Sequence, residues 1–149
     1  MAVFKFRLAS VLRYRQRLQE EKEWELGLLL DTRRQNEEKI ASLEHQQLAN
    51  GADIDGDREK IVSVTELHLR ASYNESLAQR ARELRVEVKR LDQAIAEKRE
   101  ALVEALRQVK MLERLRDRRA ESFNREQTVQ EQKLTDEMSQ RKFVRRSNG

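Results

Sequence analysis

Between Leu77 and Leu112 the apolar positions recur in alternating steps of four and three: Leu77, Ala81, Leu84, Val88, Leu91, Ile95, Lys98, Leu102, Ala105, Val109 and Leu112, with Lys98 the single polar member. A repeat of about 3.5 residues keeps one stripe turned toward a neighbouring helix and predicts a left-handed coiled coil. A disordered chain has no reason to hold register over such a distance. Leu106 and Leu115 widen the stripe near its end. Upstream, Leu8, Val11, Leu12, Leu18, Leu26, Leu29, Ile40 and Leu43 share one face of a second predicted helix, a seam interrupted by Arg15, Lys22, Arg33 and Asn36.

The two patterns are separated by NGADIDGDRE, which holds two of the four glycines and three aspartates, the chemistry a reversal of direction requires. The predicted turn lies at about 50–57, after a first helix at about 4–49. The second helix begins either at Asp57 or after Ser63, where Ser63-Val-Thr-Glu66 has capping-box spacing. It is bounded at about 58–142, with a frayed tail at 143–149. The predicted fold class is all-α, one domain built as a long antiparallel two-helix coiled-coil hairpin with an extended C-terminal helix. Pairing outward from the turn places Leu43 near Val64, Leu29 near Ala78 and Leu8 near Arg99. At ~1.5 Å per residue the arms measure roughly 65–70 Å and ~120 Å, so the second overhangs the first. Beyond Leu115 the apolar residues thin to Phe123, Val129, Leu134, Met138 and Phe143. That stretch either frays or is covered by another protein.

Composition sharpens this picture. Of 149 residues 38% are hydrophobic and 39% charged, so apolar material suffices for a narrow seam and not for a thick core. Proline and cysteine are absent, which suits uninterrupted helix and excludes disulfide and thiolate chemistry. The N-terminus, MAVFKFRLASVLRYR, carries charges every few residues, and no long apolar run occurs, so neither export nor a membrane span is predicted and the cytoplasm is the expected compartment. The 31 basic and 27 acidic residues leave a net charge of +4, a mixed surface with a mild basic excess.

Little in the chain points to chemistry. Asp53-Ile-Asp55-Gly-Asp57 superficially matches a calcium loop, but Arg58 stands where the glycine belongs and Val64 where the bidentate glutamate belongs. His45 and His68 lack further ligands for zinc. No nucleophile elbow, metal set or cofactor motif occurs, and two paired helices offer no water-excluding pocket, so no enzyme is expected. Lys110, Arg114, Arg116, Arg118 and Arg119, with Arg141, Lys142, Arg145 and Arg146, could grip phosphates, although Glu113, Asp117 and Glu121 among them suit ordinary i,i+4 pairing on a solvated face. Tyr14, Trp24 and Tyr73 are harder to hide in a slender coiled coil. Tyr73, one turn from Leu77, either packs across the hairpin or docks a partner.

The ends of the chain resemble the flagellar export protein FliJ family. The opening FKFRLASVLRYRQRLQEEKE is similar to the family's start, with an aromatic-x-aromatic-Arg-Leu beginning, the Val11-Leu12 pair, basic Arg13 and Arg15, and acidic Glu20 and Glu21. The later stretch ALVEALRQVKMLERLRDRRAESFNREQTVQEQKLTDEMSQRKF looks like the family's Ala-x-x-x-Ala-x-x-x-x-Lys-x-Leu-Glu-x-Leu run and its Gln-Lys-x-x-Asp-Glu signature, here Gln132-Lys133-Leu-Thr-Asp136-Glu137. The resemblance implies a stalk-like antiparallel coiled coil, similar to the gamma subunit of rotary ATPases, at the cytoplasmic face of the membrane. It implies binding to the hexameric flagellar export ATPase FliI, to the cytoplasmic domain of the export gate protein FlhA, and to unloaded export chaperones. By position the implied ATPase-facing residues are Phe4, Phe6, Arg7, Leu8, Leu12 and Arg15 with Leu112, Leu115, Gln132, Asp136 and Glu137; the gate-facing ones are Tyr73 and Leu77. Arg80 and Leu84, at the following turns, depart from the gate-binding face. A coiled-coil scaffold, dimerised through its long second helices, is the competing reading, and a nucleic-acid-binding coiled coil is disfavoured because no aromatics interleave with the basic residues.

Overall fold

The computed structural model describes residues 2–57 and 63–149, the side chain of Asp57 excepted. Two helices, α1 (Ala9–Asp57) and α2 (Val64–Ser147), pack against each other as an all-α hairpin, and 93% of the described residues are helical. No strand occurs among the described residues. The contacts divide into two compact units, one formed by Met1–Gln19 with Glu104–Gly149 and the other by Glu20–Val103.

On α2 every position of the predicted seam from Leu77 to Leu112 is buried or half-buried, Lys98 included. On α1 the seam is complete as well. Leu8, Leu12, Arg15, Gln19, Lys22, Leu26, Leu29, Arg33, Asn36, Ile40, Leu43, Gln47, Asn50 and Ile54 follow steps of four and three, and all are buried or half-buried. The polar residues that seemed to interrupt the pattern therefore occupy it. Arg15, Lys22 and Arg33 can do so because a long aliphatic stem lies along the seam while its charged head reaches water. Asn36, only 8% exposed, is the buried polar member.

Seam continuity also decides where α1 ends. Asn50 and Ile54 carry the stripe through the Gly/Asp segment, which is helical to Asp57 and is not the predicted turn. Neither Gly51 nor Gly56 adopts positive φ. Two glycines in a helix cost about 1 kcal/mol each relative to alanine, a deficit that continued packing of the stripe offsets. The alternative start of α2 at Asp57 is not observed, because Asp57 closes α1, and the bound at about 58 lies outside the described residues. The start after Ser63 is observed: the Glu66 N–H donates to Ser63 Oγ over 3.2 Å, the N-cap bond that capping-box spacing foretold.

Moving the reversal along the chain by one residue displaces the pairing by two. In the Glu20–Val103 unit the cross-helix ion pairs are Glu44 with Arg85, Arg33 with Asp92 and Glu25 with Lys98. Leu43 thus lies level with the turn that carries Arg85 and not with Val64, and Leu29 lies level with the turn that carries Ile95 and not with Ala78, a shift of about five to six helical turns.

In the unit that contains both ends of the chain, α1 begins at Ala9 and not near Phe4. Half-buried Phe4 and Phe6 alternate with exposed Val3, Lys5 and Arg7, the period-two pattern of extended chain, before a turn at Arg7 and Leu8. The Ala9 N–H donates to the Phe6 carbonyl and the Leu12 N–H to the Leu8 carbonyl, which starts the helix. Phe4 stacks against Phe123 and Phe6 lies beside Arg119, so Leu8 is not paired with Arg99. Leu115, Ala120, Phe123 and Gln127 are half-buried, and the uncovered stretch starts at 128 instead of just beyond Leu115. Residues 128–149 are all exposed. Helix α2 continues to Ser147, past the predicted end at 142, with Arg145 and Arg146 in its last turn complementing the negative end of the helix dipole.

Candidate functional site

The implied ATPase-facing residues all fall in the unit made of Met1–Gln19 and Glu104–Gly149. They divide by burial into two groups. Leu12 is buried, and Phe4, Phe6, Leu8, Arg15, Leu112 and Leu115 are half-buried, so these seven hold the unit together. Arg7, Gln132, Asp136 and Glu137 are exposed and available to a partner. At 3.6 residues per turn, Val129, Gln132, Asp136 and Phe143 share one face of the exposed end of α2, and Glu137 points away from it toward the side of Arg141. The signature pair Gln132 and Asp136 is thereby flanked along the helix by two exposed apolar residues, Val129 and Phe143.

The structure separates the two implied gate-facing residues. Tyr73 is 56% exposed, whereas Leu77 is 7% exposed and belongs to the seam. The exposed pair one turn apart is Leu69 with Tyr73. Leu69 does not occupy the seam, and its spacing of four from Tyr73 is the signal in the sequence that pairs the two. Beside Tyr73 runs a groove of about 460 Å³ lined by Asn50, Asp53, Arg70 and Tyr73. Among the described residues that line it, Asn50, Asp53 and Arg70 are polar and Tyr73 is the aromatic one. A chain partner could set an apolar side chain on that ring while its polar groups meet the rim.

Electrostatics in the Glu20–Val103 unit are dominated by the seam bridge. A hydrogen bond from Lys98 holds the Glu25 carboxyl below the usual carboxylate range against the opposing effect of partial burial, with Lys22 at 3.6 Å assisting. The same bond raises Lys98. On the outer face, Arg34 sits between Asp31 and Glu38, each 2.8 Å away, and its guanidinium is raised, chiefly by the Asp31 hydrogen bond.

The remaining candidates organise no chemistry. Asp53 and Asp55 stand on helix α1, which cannot wrap a cation as a loop does. His45 and His68 are both exposed, and no group of three metal-ligating side chains occurs among the described residues. In the basic cluster, Arg116 pairs with Asp117 at 3.7 Å and the Arg119 guanidinium stacks 5.9 Å from the Phe6 ring, so two of its charges are engaged within the chain. No described helix is long and apolar enough to cross a membrane.

No curated protein and no solved structure matches the chain significantly. A family model described as Flagellar FliJ protein matches residues 4–148, from the Phe4 that stacks on Phe123 to the last turn of α2. That span takes in both the aromatic beginning and the exposed Gln132–Glu137 signature, and with it the chain belongs to the flagellar FliJ protein family, components of the flagellar export apparatus.

Proposed function

We propose that this protein is a non-enzymatic, stalk-like component of flagellar type III export that binds the ring-forming export ATPase FliI through the end of α2. The observation that carries the reading is the exposed stretch from 128 to 149, where helix α2 persists without cover from any described residue and presents Gln132 and Asp136 between Val129 and Phe143. A solvated helix that displays apolar side chains gains from insertion into a partner's groove or pore. The half-buried Phe4, Phe6, Leu8, Arg15, Leu112 and Leu115 and the buried Leu12 fix the base of that helix, and Arg7 adds a contact beside it. Ring stimulation follows from mass action: a chain that binds the assembled hexamer better than separate subunits shifts the population toward the active ring. No residue of this chain need touch ATP.

The second contact belongs to the Leu69–Tyr73 face, which would engage the cytoplasmic domain of the gate protein FlhA, while the buried Leu77 would act only by anchoring this part of α2 in the seam. Escort of unloaded export chaperones would use exposed helix in the same manner. These contacts would place the protein peripherally at the cytoplasmic face of the membrane.

Titration of the full chain into its cognate export ATPase tests the reading. The chain should raise ATP hydrolysis and co-elute with the ring, and Asp136→Lys should reduce the stimulation several-fold while leaving helicity unchanged. Unchanged hydrolysis with no co-elution would overturn it.

A further inference from the structure

We infer that the exposed end of α2 is also a self-recognition element, by which two copies of this chain pair antiparallel through the face opposite Gln132 and Asp136. That face carries Gln127, Glu131, Leu134, Met138, Arg141 and Arg145, at steps of four, three, four, three and four. The spacing is that of a coiled-coil seam, and it reads the same in either direction. It continues the stripe on which Phe123 and half-buried Gln127 sit, past the last residue that any described part of the chain covers. Leu134 and Met138, the apolar centre, stand exposed.

The chemistry of the stripe is self-complementary about Asp136. When two such helices run antiparallel around a twofold axis at that level, Leu134 meets Met138 of the second copy and Met138 meets Leu134. Glu131 then faces Arg141 and Arg141 faces Glu131, while Gln127 faces Arg145. An isologous contact requires this pattern, in which residue i meets j and j meets i. The surrounding charges agree. After Glu137 every charged side chain is basic: Arg141, Lys142, Arg145 and Arg146. Antiparallel overlap about Asp136 lays Glu126 at the level of Arg146 and Glu131 at the level of Arg141 of the second copy, whereas parallel overlap sets Glu131 against Glu131 and Arg141 against Arg141.

A second copy is therefore the occupant that this stripe fits. With two apolar residues from each chain at its centre and an exposed ionic rim, the contact is small, so the pair should be weak and salt-sensitive. It uses the purified chain alone and the helix face opposite the proposed ATPase contact, so its failure and the failure of the ATPase reading are distinguishable.

Sedimentation analysis from about 10 μM to 1 mM at low salt tests it. The wild-type chain should approach twice its mass with rising concentration and revert as salt is added. Glu131→Arg alone sets Arg against Arg, Arg141→Glu alone sets Glu against Glu, and each should weaken the dimer by about tenfold or more, while the double exchange restores it. A monomer throughout, single exchanges without effect, or a double exchange that fails to restore the pair would each overturn the proposal. The chain has no native cysteine, so mixing Leu134→Cys chains with Met138→Cys chains gives a second readout. Disulfides joining the two kinds of chain should form in preference to those joining like chains; the reverse preference denotes parallel pairing and refutes the inference.

Discussion

The rings of Phe4 and Phe123 meet with centroids 5.7 Å apart and planes tilted by 48°, joining the non-helical beginning of the chain to the last covered turns of α2. An aromatic pair in this arrangement contributes about 0.5–1.5 kcal/mol beyond the apolar area it removes from water. Phe4→Ala and Phe123→Ala should each destabilise the chain-end unit, and the double variant should cost less than the two losses combined by about 0.5–1.5 kcal/mol. Denaturant titration of the four members of the cycle measures the coupling. Strict additivity would mean that the rings do not support one another.

Ala81 is the most completely enclosed of the seam residues, 1% exposed, between the buried Leu77 and Leu84 on successive turns. A leucine at this level has to place three further carbons where even the alanine methyl is enclosed. Ala81→Leu should therefore destabilise by about 1–3 kcal/mol even though it strengthens the apolar repeat in sequence. A raised thermal midpoint would show that room remains at that level.

The regular stripe of α2 was legible because its members are apolar and their spacing alone reports the face. On α1 the same spacing was hidden, since hydrophobicity is a poor marker of a seam built partly from Arg15, Gln19, Lys22, Arg33 and Asn36. Their stems or small amides fill the positions, and only the steps of four and three betray them. The turn was misplaced for a related reason: glycine and aspartate weaken helix locally, but Asn50 and Ile54 still extend the stripe through them. Once the reversal was misplaced, every predicted cross-helix partner was wrong by twice the error. At the surface, burial decided what spacing could not, separating exposed Tyr73 from buried Leu77 and bringing Leu69 into view.

Gly51 distinguishes the two placements of the reversal by experiment. It lies inside α1, without positive φ, and a Cβ there would meet no described residue within 4 Å. Gly51→Ala should stabilise the protein by about 0.5–1 kcal/mol, through helix propensity and a less flexible unfolded chain. A turn at this position that needed left-handed backbone would give the opposite sign. The unfolding midpoint of the single variant decides between them.

The Glu25–Lys98 bridge should impose a pH dependence with edges at both ends of the scale. Glu25 is lowered, chiefly by its hydrogen bond from Lys98, so its contribution is present above the unfolded carboxylate value and disappears as pH falls through the folded one. Lys98 is raised, chiefly by its bond to Glu25, so its contribution is present below the unfolded lysine value and disappears as pH rises through the folded one. The bridge is fully effective from about pH 4.3 to about pH 10.4. Both groups are partly solvated, so the effect on stability is small and further reduced by salt. Glu25→Gln should lower the thermal midpoint across that window, and its difference from wild type should shrink toward either extreme. A difference that stays constant from acid to alkali would assign the loss to packing of the Glu25 stem instead of to the charge pair.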